Sequence, residues 1–570
     1  MSSSGSKVVL LGMSEGAARR FWPVVLGLAV AVAAACSPSG EEGANASGGV
    51  AAALGGALAG SSGGSASAGG SLTSGGQAMA TGGEISTGGV APGLGGGLGG
   101  GVGGAAESSG GTVSAGGADK VMRSIGTYDF QHFPIEVAET GLWNGGETPG
   151  TTLTTTTFDT VILENGYLRV TLLPAYGGRI LSIVHKPTGR ELLYQNAIGT
   201  PYLMHEDIFY YDYLVILGGI FPSFPEPEHG RYWNQPYEFA IVSEGPDAIT
   251  VRMSRQDNLD VPVGVPSRYE VGRTDLLVEL EITLRAGRSN LELNTKLTNP
   301  KPSAIPRFEY WTITTLAPGS TPGHAMIPES TRIIAKMDQV HLFESSWSWF
   351  GDAEERVNDE VFKWKNLSYF ENWVDQGTAF AHPQYEANFS GLINYENSHG
   401  VLCVSANVET PGLKLWTFGK DSVHVDINDS SEWLRPTIEM WHGVTPEFWQ
   451  RGAMEAGEVR TWTDHYFPTL ELRDISAASE YGAVYLSSTT SGVNAVLSAL
   501  ATLTVPNQTV HAVMKLSGSV VREEDILVSP AEATTLEVSV PASSVLAGAE
   551  LSIEFSQESR ALLTAKIVLQ

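Results

Sequence analysis

Residues 277–285 read LVELEITLR and alternate strictly between apolar and polar side chains. The apolar positions on one face are Val278, Leu280, Ile282 and Leu284. The same period resumes over 291–297, after a turn at Ala286-Gly287-Arg288. Alternation with a period of two is typical of half-buried antiparallel strands. The stretch therefore predicts two neighbouring strands of a sheet that buries one face.

Outside this stretch, turn sequences rich in Pro, Gly and Asn recur and helical periodicity is scarce, which favours stacked sheets. Of the 13 Trp residues, 12 lie between Trp143 and Trp462, and the sequence after Leu470 is poor in aromatic residues but still alternates. We therefore predict an all-β protein with a large antiparallel β-sandwich over 119–470 and a small β-sandwich over 471–570.

The N-terminal part has a different composition. Residues 37–118 contain 30 Gly in 82 positions and no aromatic residue, which predicts a disordered linker. Before it, Arg19-Arg20 precedes the apolar stretch 21–35, which is too short to span a bilayer and is typical of a secretory signal. Residues 32–36, VAAAC, resemble a bacterial lipobox, so residues 1–36 are predicted as a signal peptide with lipidation at Cys36. The alternative is a simple cleavage after small residues that releases the protein.

Charge and cysteine content exclude several classes. The chain has 34 Lys and Arg against 62 Asp and Glu, a formal charge of −28, and no basic run, which argues against nucleic acid as a partner. Two distant cysteines exclude a disulfide scaffold and a cysteine-based zinc cluster. His205-Glu206-Asp207 lacks the second His of a zincin helix. No metal or cofactor is predicted.

Several blocks, in order, resemble the galactose-mutarotase-like (aldose-epimerase-like) superfamily, and most closely its branch known as domain of unknown function 5107. They cover about residues 125–470 and are LENGYLRV (163–170), LPAYGGRI (173–180), HKPTGRELLYQN (185–196), GGIF (218–221), PGLKLWTFG (411–419) and TIEMWHG (437–443). The resemblance implies a β-supersandwich whose concave face binds sugars. It does not imply one reaction, because such folds host several functions.

Two strands carry a Glu-x-Trp pattern with an Arg upstream on the same face. The first is Arg307, Glu309 and Trp311, and the second is Arg435, Glu439 and Trp441. A pyranose stacks its C–H face on an aromatic ring while carboxylate and guanidinium groups bind its hydroxyls. The alternative is that the tryptophans pack between the sheets. The full set predicted to bind the sugar is Arg307, Glu309, Trp311, Glu228, Arg231, Trp416, Trp441 and His442.

The resemblance also implies a pair of catalytic residues, because sugar mutarotases use a late Glu as base and an earlier His as acid. Glu439 and His229 occupy comparable positions. Glu226, Glu228, Glu309 and Glu439 also supply enough carboxylates for a glycosidase pair, which needs two at a fixed separation.

Three functions stay open from the sequence. The first is a lipid-anchored envelope protein, exported across the inner membrane and held at the outer membrane, whose domain binds a carbohydrate and transfers a proton at an anomeric or epimeric centre. The second is a non-catalytic polysaccharide-binding or scaffolding lipoprotein. The third is a glycoside hydrolase or polysaccharide lyase.

Overall fold

The computed structural model describes residues 119–132, 152–195, 218–226, 229–260, 271–320, 326–342, 355–374, 377–417, 419–420, 436–447 and 450–570. The predicted signal peptide, Cys36 and the glycine-rich linker lie outside these residues, as do Glu228 and Arg435. None of the helices within the described ranges has the length and apolar content that crossing a bilayer requires.

The described strands are, in chain order, β1 (Met122–His132), β2 (Thr154–Glu164), β3 (Leu168–Leu173), β4 (Arg179–His185), β5 (Arg190–Glu191), β6 (Gly219–Ser223), β7 (Glu238–Glu244), β8 (Ala248–Gln256), β9 (Leu277–Arg285), β10 (Leu291–Thr298), β11 (Arg307–Phe308), β12 (Trp311–Leu316), β13 (Thr331–Ala335), β14 (Gln339–His341), β15 (Val361–Lys363), β16 (Gly377–Ala381), β17 (Phe389–Asn394), β18 (His399–Ser405), β19 (Gly412–Thr417), β20 (Ile438–Gly443), β21 (Gly452–Ala453), β22 (Val459–Leu470), β23 (Ala477–Ser479), β24 (Gly482–Ser491), β25 (Asn494–Leu503), β26 (Gln508–Leu516), β27 (Ser519–Val528), β28 (Thr534–Pro541), β29 (Glu550–Gln557) and β30 (Arg560–Val568). Short helical turns occur at Pro328–Ser330, Trp364–Leu367, Phe370–Asn372 and Ala542–Ser544.

Two large antiparallel sheets form the main body. One has the order β1-β2-β3-β4-β6-β12-β20-β19-β16-β14-β15, with β5 paired to β4, and the other has the order β13-β17-β18-β22-β10-β9-β8-β7. Their facing sides share one apolar core, to which the first sheet contributes Ile220 and Met440 and the second Leu280 and Val401. The predicted strands over 277–285 and 291–297 are β9 and β10 of the second sheet, and the predicted all-β class is confirmed.

The C-terminal part forms two further four-stranded sheets, ordered β23-β24-β25-β28 and β27-β26-β29-β30, around a separate core. The predicted small β-sandwich is therefore confirmed. It packs against the outer side of the second large sheet, where Ile334, Leu402 and Phe467 of the main body share an apolar cluster with Leu472 and Ile475.

A chain of hydrogen bonds also joins this sandwich to the main body. The Nε2 of His185 lies 3.2 Å from the carbonyl oxygen of Pro530, and its Nδ1 lies 3.0 Å from Oγ1 of Thr188. Thr188 Oγ1 in turn lies 3.2 Å from Nε2 of His399. The chain is complete when both imidazoles are neutral: His399 donates to Thr188, Thr188 donates to His185, and His185 donates to Pro530.

We predict that this junction makes stability depend on pH. Burial lowers the pKa of His185 to about 4 and that of His399 to about 3, whereas unfolded histidines titrate near 6.5. Between these values the unfolded chain binds protons that the folded chain does not, so the free energy of unfolding falls as pH falls from 6.5 towards 4. Each histidine contributes at most about 1.4 kcal/mol per pH unit.

Urea unfolding of the parent and of His185→Asn/His399→Gln at several pH values measures the effect. The double variant should show a shallower dependence over this range. His511→Gln is the control of opposite sign: the hydrogen bond to Asp525 raises the pKa of this exposed imidazole, so its removal should make the dependence steeper rather than shallower. Parallel pH profiles for the parent and the double variant would contradict the assignment.

Candidate functional site

The candidate site lies on the outer face of the first large sheet, the side turned away from the core. Strand registers place Glu439 of β20 opposite Thr315 of β12 and Trp416 of β19. Two residues along, Trp441 stands opposite Ile313 and Lys414. Because side chains alternate across a strand, all of these share one face. Phe221, Trp311, Ile313, Phe380 and Trp441 form an apolar cluster there that is separate from the main core.

Trp441 is the centre of this arrangement. Its indole Nε1 donates a hydrogen bond of 2.9 Å to Oε2 of Glu439. The ammonium of Lys414 lies 3.8 Å from the centroid of the indole ring. The ring of His229 meets the indole edge-on, with 5.1 Å between centroids. The structure thus brings both predicted catalytic residues, Glu439 and His229, into contact with one tryptophan.

The same contacts change the role expected of Trp441. A pyranose was expected to stack on its ring, but the Lys414 ammonium occupies one face and only 1% of Trp441 is exposed. Trp441 instead orients the carboxylate of Glu439 and packs against the Lys414 ammonium and the His229 imidazole. Trp416, half-buried and in register with Glu439, is the predicted aromatic residue that stays accessible beside the carboxylate.

His229 reaches this face from the loop after β6. Its φ is 69°, in the left-handed region that a non-glycine residue adopts only at an energetic cost. The next residue, Gly230, also has a positive φ, and a Cβ there would overlap the backbone of Phe224. A strained backbone at a buried imidazole is a recognised feature of functional sites.

Arg231 anchors the chain directly after His229 and Gly230. It is fully buried and pairs with Glu226, Nε to Oε1 at 2.9 Å, and with Asp257, Nη1 to Oδ1 at 3.3 Å. Asp257 also accepts hydrogen bonds from the hydroxyls of Tyr232 and Thr274. The predicted sugar-binding role of Arg231 does not match this placement, because its Nε, Nη1 and Nη2 already donate to Glu226, Asp257 and the carbonyl oxygen of Val271. It is a positioning residue for His229.

Arg179, at the start of β4, adds a cation that was not among the predicted site residues. Its guanidinium lies 3.7 Å from the centroid of the Phe221 ring and is fully buried. Its Nη1 donates to the carbonyl oxygen of Gly218. The side-chain stem crosses Gly219, where a Cβ would lie 3.1 Å from Cγ of Arg179. Glycine at 219 therefore makes room for this side chain.

The electrostatics of the site keep His229 uncharged. Burial lowers the pKa of His229 well below its usual value, and the positive charges of Lys414 and Arg179 lower it further. Burial likewise lowers the pKa of Arg179 to about 10, against the opposing influence of Tyr176, Tyr128 and Glu439. A neutral imidazole, a carboxylate and two cations therefore share a site from which water is largely excluded.

The remaining predicted residues lie apart from this group. His442 points into the core between the sheets, with Nε2 2.9 Å from Oγ of Ser390, because it is one residue out of phase with Trp441. The predicted single strand over 307–311 is interrupted: Arg307 is exposed in β11, and β12 begins only at Trp311. Glu309 lies at this break, buried, with Oε1 3.5 Å from Nε of Arg451.

Trp311 belongs to the outer face but serves packing. It is fully buried, and its indole lies over Gly443 and Gly412, which are in register with each other on β20 and β19. A Cβ at either glycine would overlap the indole ring. The sequence left open the alternative that such tryptophans pack within the fold. Trp311 fits this alternative.

Arg179 and Lys414 are the functional candidates that sequence reasoning missed, although both lie in the quoted blocks. The available signal was one Arg or Lys within a mostly apolar strand, RILSIVH for β4 and GLKLWT for β19. Charged side chains are rarely buried without a partner or a function. Among the described residues, no group of three His, Cys, Asp or Glu side chains is placed to hold a metal ion.

Comparison with known proteins identifies a family whose sequence model matches this chain. The sequence model of a family described as a domain of unknown function, DUF5107, matches residues 146–445. A TPR-domain containing protein from Parabacteroides distasonis matches with a TM-score of 0.48 and 17% identity over 64% of this chain, which spans 58% of that protein. Two galactose mutarotase-like proteins also match. The one from Clostridium acetobutylicum has a TM-score of 0.37 and 10% identity (55% of this chain, 96% of that one). The one from Lactobacillus casei has a TM-score of 0.35 and 11% identity over 54% of this chain and 100% of that one.

The packing of Trp311 gives a direct test of the outer face. We predict that Gly443→Ala lowers the free energy of unfolding by about 1–3 kcal/mol, because the added methyl group overlaps the indole. Gly245→Ala is the matched control, since a Cβ there meets its nearest described neighbour at 3.7 Å. Urea unfolding measures both. The double variant Gly443→Ala/Trp311→Leu should recover part of the loss, and a neutral effect of Gly443→Ala would refute this packing.

Proposed function

The chain belongs to the DUF5107 family, and from that premise we propose that its main body binds a sugar on the outer face of the first sheet and transfers protons at the anomeric centre. The convergence of Glu439 and His229 on Trp441 is the observation that carries the proposal. A carboxylate and an imidazole within reach of one small ligand are the pair that ring opening requires.

Glu439 is the proposed base. Trp441 fixes one carboxylate oxygen, Oε2, through the indole N–H and so sets the direction in which the carboxylate faces. With 1% of the side chain exposed, the carboxylate acts in a site where a proton transfer does not compete with bulk water. It accepts the proton of the anomeric hydroxyl as the bond between C1 and the ring oxygen breaks.

His229 is the proposed partner on the ring oxygen. Its neutral imidazole donates an N–H to that oxygen, and Lys414 and Arg179 make the N–H a stronger donor because their charges stabilise the loss of the proton. The ring oxygen takes this proton as the ring opens to the aldehyde. After rotation about C1–C2 the ring closes on the other face, and each proton returns to where it came from.

Replacement of the base should separate chemistry from binding. We expect Glu439→Gln to lower anomeric exchange at least about 100-fold while sugar binding changes little, since general acid–base residues contribute about 10²–10⁴-fold. NMR exchange spectroscopy on the full chain, with a panel of free sugars and short oligosaccharides, reports both through cross-peaks and line broadening. Glu537→Gln, at an exposed position of β28, is the control.

Broadening without cross-peaks in the parent protein would favour the non-catalytic binder instead. Release of new reducing ends from an oligosaccharide would favour a hydrolase or lyase. A panel without any broadening would overturn the sugar-binding proposal itself.

The charge state of His229 predicts the pH profile. If an imidazolium were the acid, exchange would fall as pH rises through about 6.5. Because the pKa of His229 lies well below that value, the imidazole is already neutral there, and we expect a flat rate between pH 6 and 8. The rate constant for exchange at saturating sugar measures this, and a fall of about tenfold per pH unit above 6.5 would contradict the neutral donor.

A further inference from the structure

The paired strands β1 and β2 turn their aromatic side chains away from the core. In β2, Val161 and Leu163 belong to the core between the sheets. Because side chains alternate, Phe158 lies on the outer face, and the register places Tyr128 of β1 directly opposite it. The side turned to the core carries exposed polar residues here, in the pairs Thr127–Asp159 and Asp129–Thr157. Strands that only cover a core show the reverse pattern, so these aromatic residues serve the outer face.

Packing accounts for only part of this aromatic group. The ring of Phe130 lies 4.9 Å from that of Tyr176, and Tyr176 meets Trp233 edge-on at 5.9 Å between centroids. These three rings are buried and fill space. The rings of Tyr128 and Phe158, side by side on paired strands, stay half-buried. Flat rings held partly exposed on a rigid sheet present the surface on which the C–H face of a pyranose stacks.

These two residues, which we call the aromatic platform, are continuous with the candidate site. The ring of Phe158 lies 5.8 Å from that of Tyr176. The guanidinium of Arg179 lies 5.9 Å from the centroid of Tyr176 and 3.7 Å from that of Phe221. The Phe221 ring in turn stacks on His229, with 6.4 Å between centroids. An unbroken series of contacts therefore runs along the outer face from the platform to the proposed catalytic pair.

The platform and Glu439 are too far apart for one sugar ring. In the first large sheet five strand intervals separate β2 from β20, through β3, β4, β6 and β12. At about 4.8 Å per interval the two strands lie about 24 Å apart along the sheet, several times the width of a pyranose. A monosaccharide beside Glu439 leaves the platform uncovered, whereas a chain of sugars reaches both.

We propose that Tyr128 and Phe158 form a second sugar-binding subsite, and that the ligand is an oligosaccharide chain lying across the first sheet from β20 to β1. This inference rests on the proposed function and narrows its substrate class from free monosaccharides to glycan chains. One terminal unit occupies the site of Glu439 and His229. A unit farther along the chain stacks on the platform, where the Tyr128 hydroxyl supplies a polar edge beside the ring.

Calorimetric titration of the full chain tests the inference with cello-, malto-, xylo- and chito-oligosaccharides of one to six units. In the series that binds, affinity should rise at least about tenfold from one unit to six. The double variant Tyr128→Leu/Phe158→Leu keeps apolar side chains but removes the flat rings, so this gain should fall at least about fivefold while monosaccharide affinity stays unchanged. Phe158→Tyr should retain the gain. Tyr369→Leu is the matched control, at an aromatic residue that is 41% exposed and lies outside this face.

Circular dichroism checks that each variant folds, and the length series of the parent decides alone if the double variant does not. Equal affinity for one unit and six overturns the inference and leaves the proposed function standing. A gain with length that survives in the double variant overturns the platform assignment. Absence of a gain, together with dimerisation of the parent in sedimentation that the double variant abolishes, assigns the platform to a second copy of the chain. Binding of no sugar of any length overturns both the proposed function and this inference.

Discussion

The antiparallel register of β12, β20 and β19 is the constraint on which the site depends. It places Glu439 between Thr315 and Trp416, and Trp441 between Ile313 and Lys414. A shift of one residue would turn every one of these side chains into the core and bring Met440 and His442 to the outer face. The core fixes the register, because Ile438 and Met440 are fully buried against the second sheet. Packing on one face thus positions the chemistry on the other.

Two glycines on β20 and β19 extend the same logic. Gly443 and Gly412 leave space for the indole of Trp311, which would otherwise clash with the sheet. Trp311, Ile313 and Phe221 then form an apolar floor beside the charged groups. Such a floor lowers the local dielectric constant, which strengthens each electrostatic interaction and raises the cost of each unmatched charge.

The sequence allowed the fold class and the family to be anticipated, because alternation, turn residues and ordered blocks are local signals. The pairing of Glu439 with His229 was a prediction from the family resemblance alone. Other features depend on long-range contacts and could not be read from spacing. Arg231 and His229 are two residues apart, yet one is locked between Glu226 and Asp257 and the other reaches Trp441. His442 follows Trp441 directly but faces the core. Only the pairing of strands distinguishes Arg179, whose neighbours in space are Phe221 and Gly218, from an ordinary strand-end arginine.

The loop that carries His229 shows how strain and charge are combined. Holding a non-glycine residue at a positive φ costs about 1–3 kcal/mol, and a structure retains such a residue only when its surroundings impose it. Arg231, two residues after His229, restrains the backbone here through its ion pairs with Glu226 and Asp257. Removal of this arginine would leave the two acidic side chains buried close together. Burial already raises the pKa of Glu226 to about 7 against the opposing charge of Arg231. Because Glu226 and Asp257 hold Arg231, two residues after His229, the proposed reaction would not require the imidazole to be ordered in the transition state.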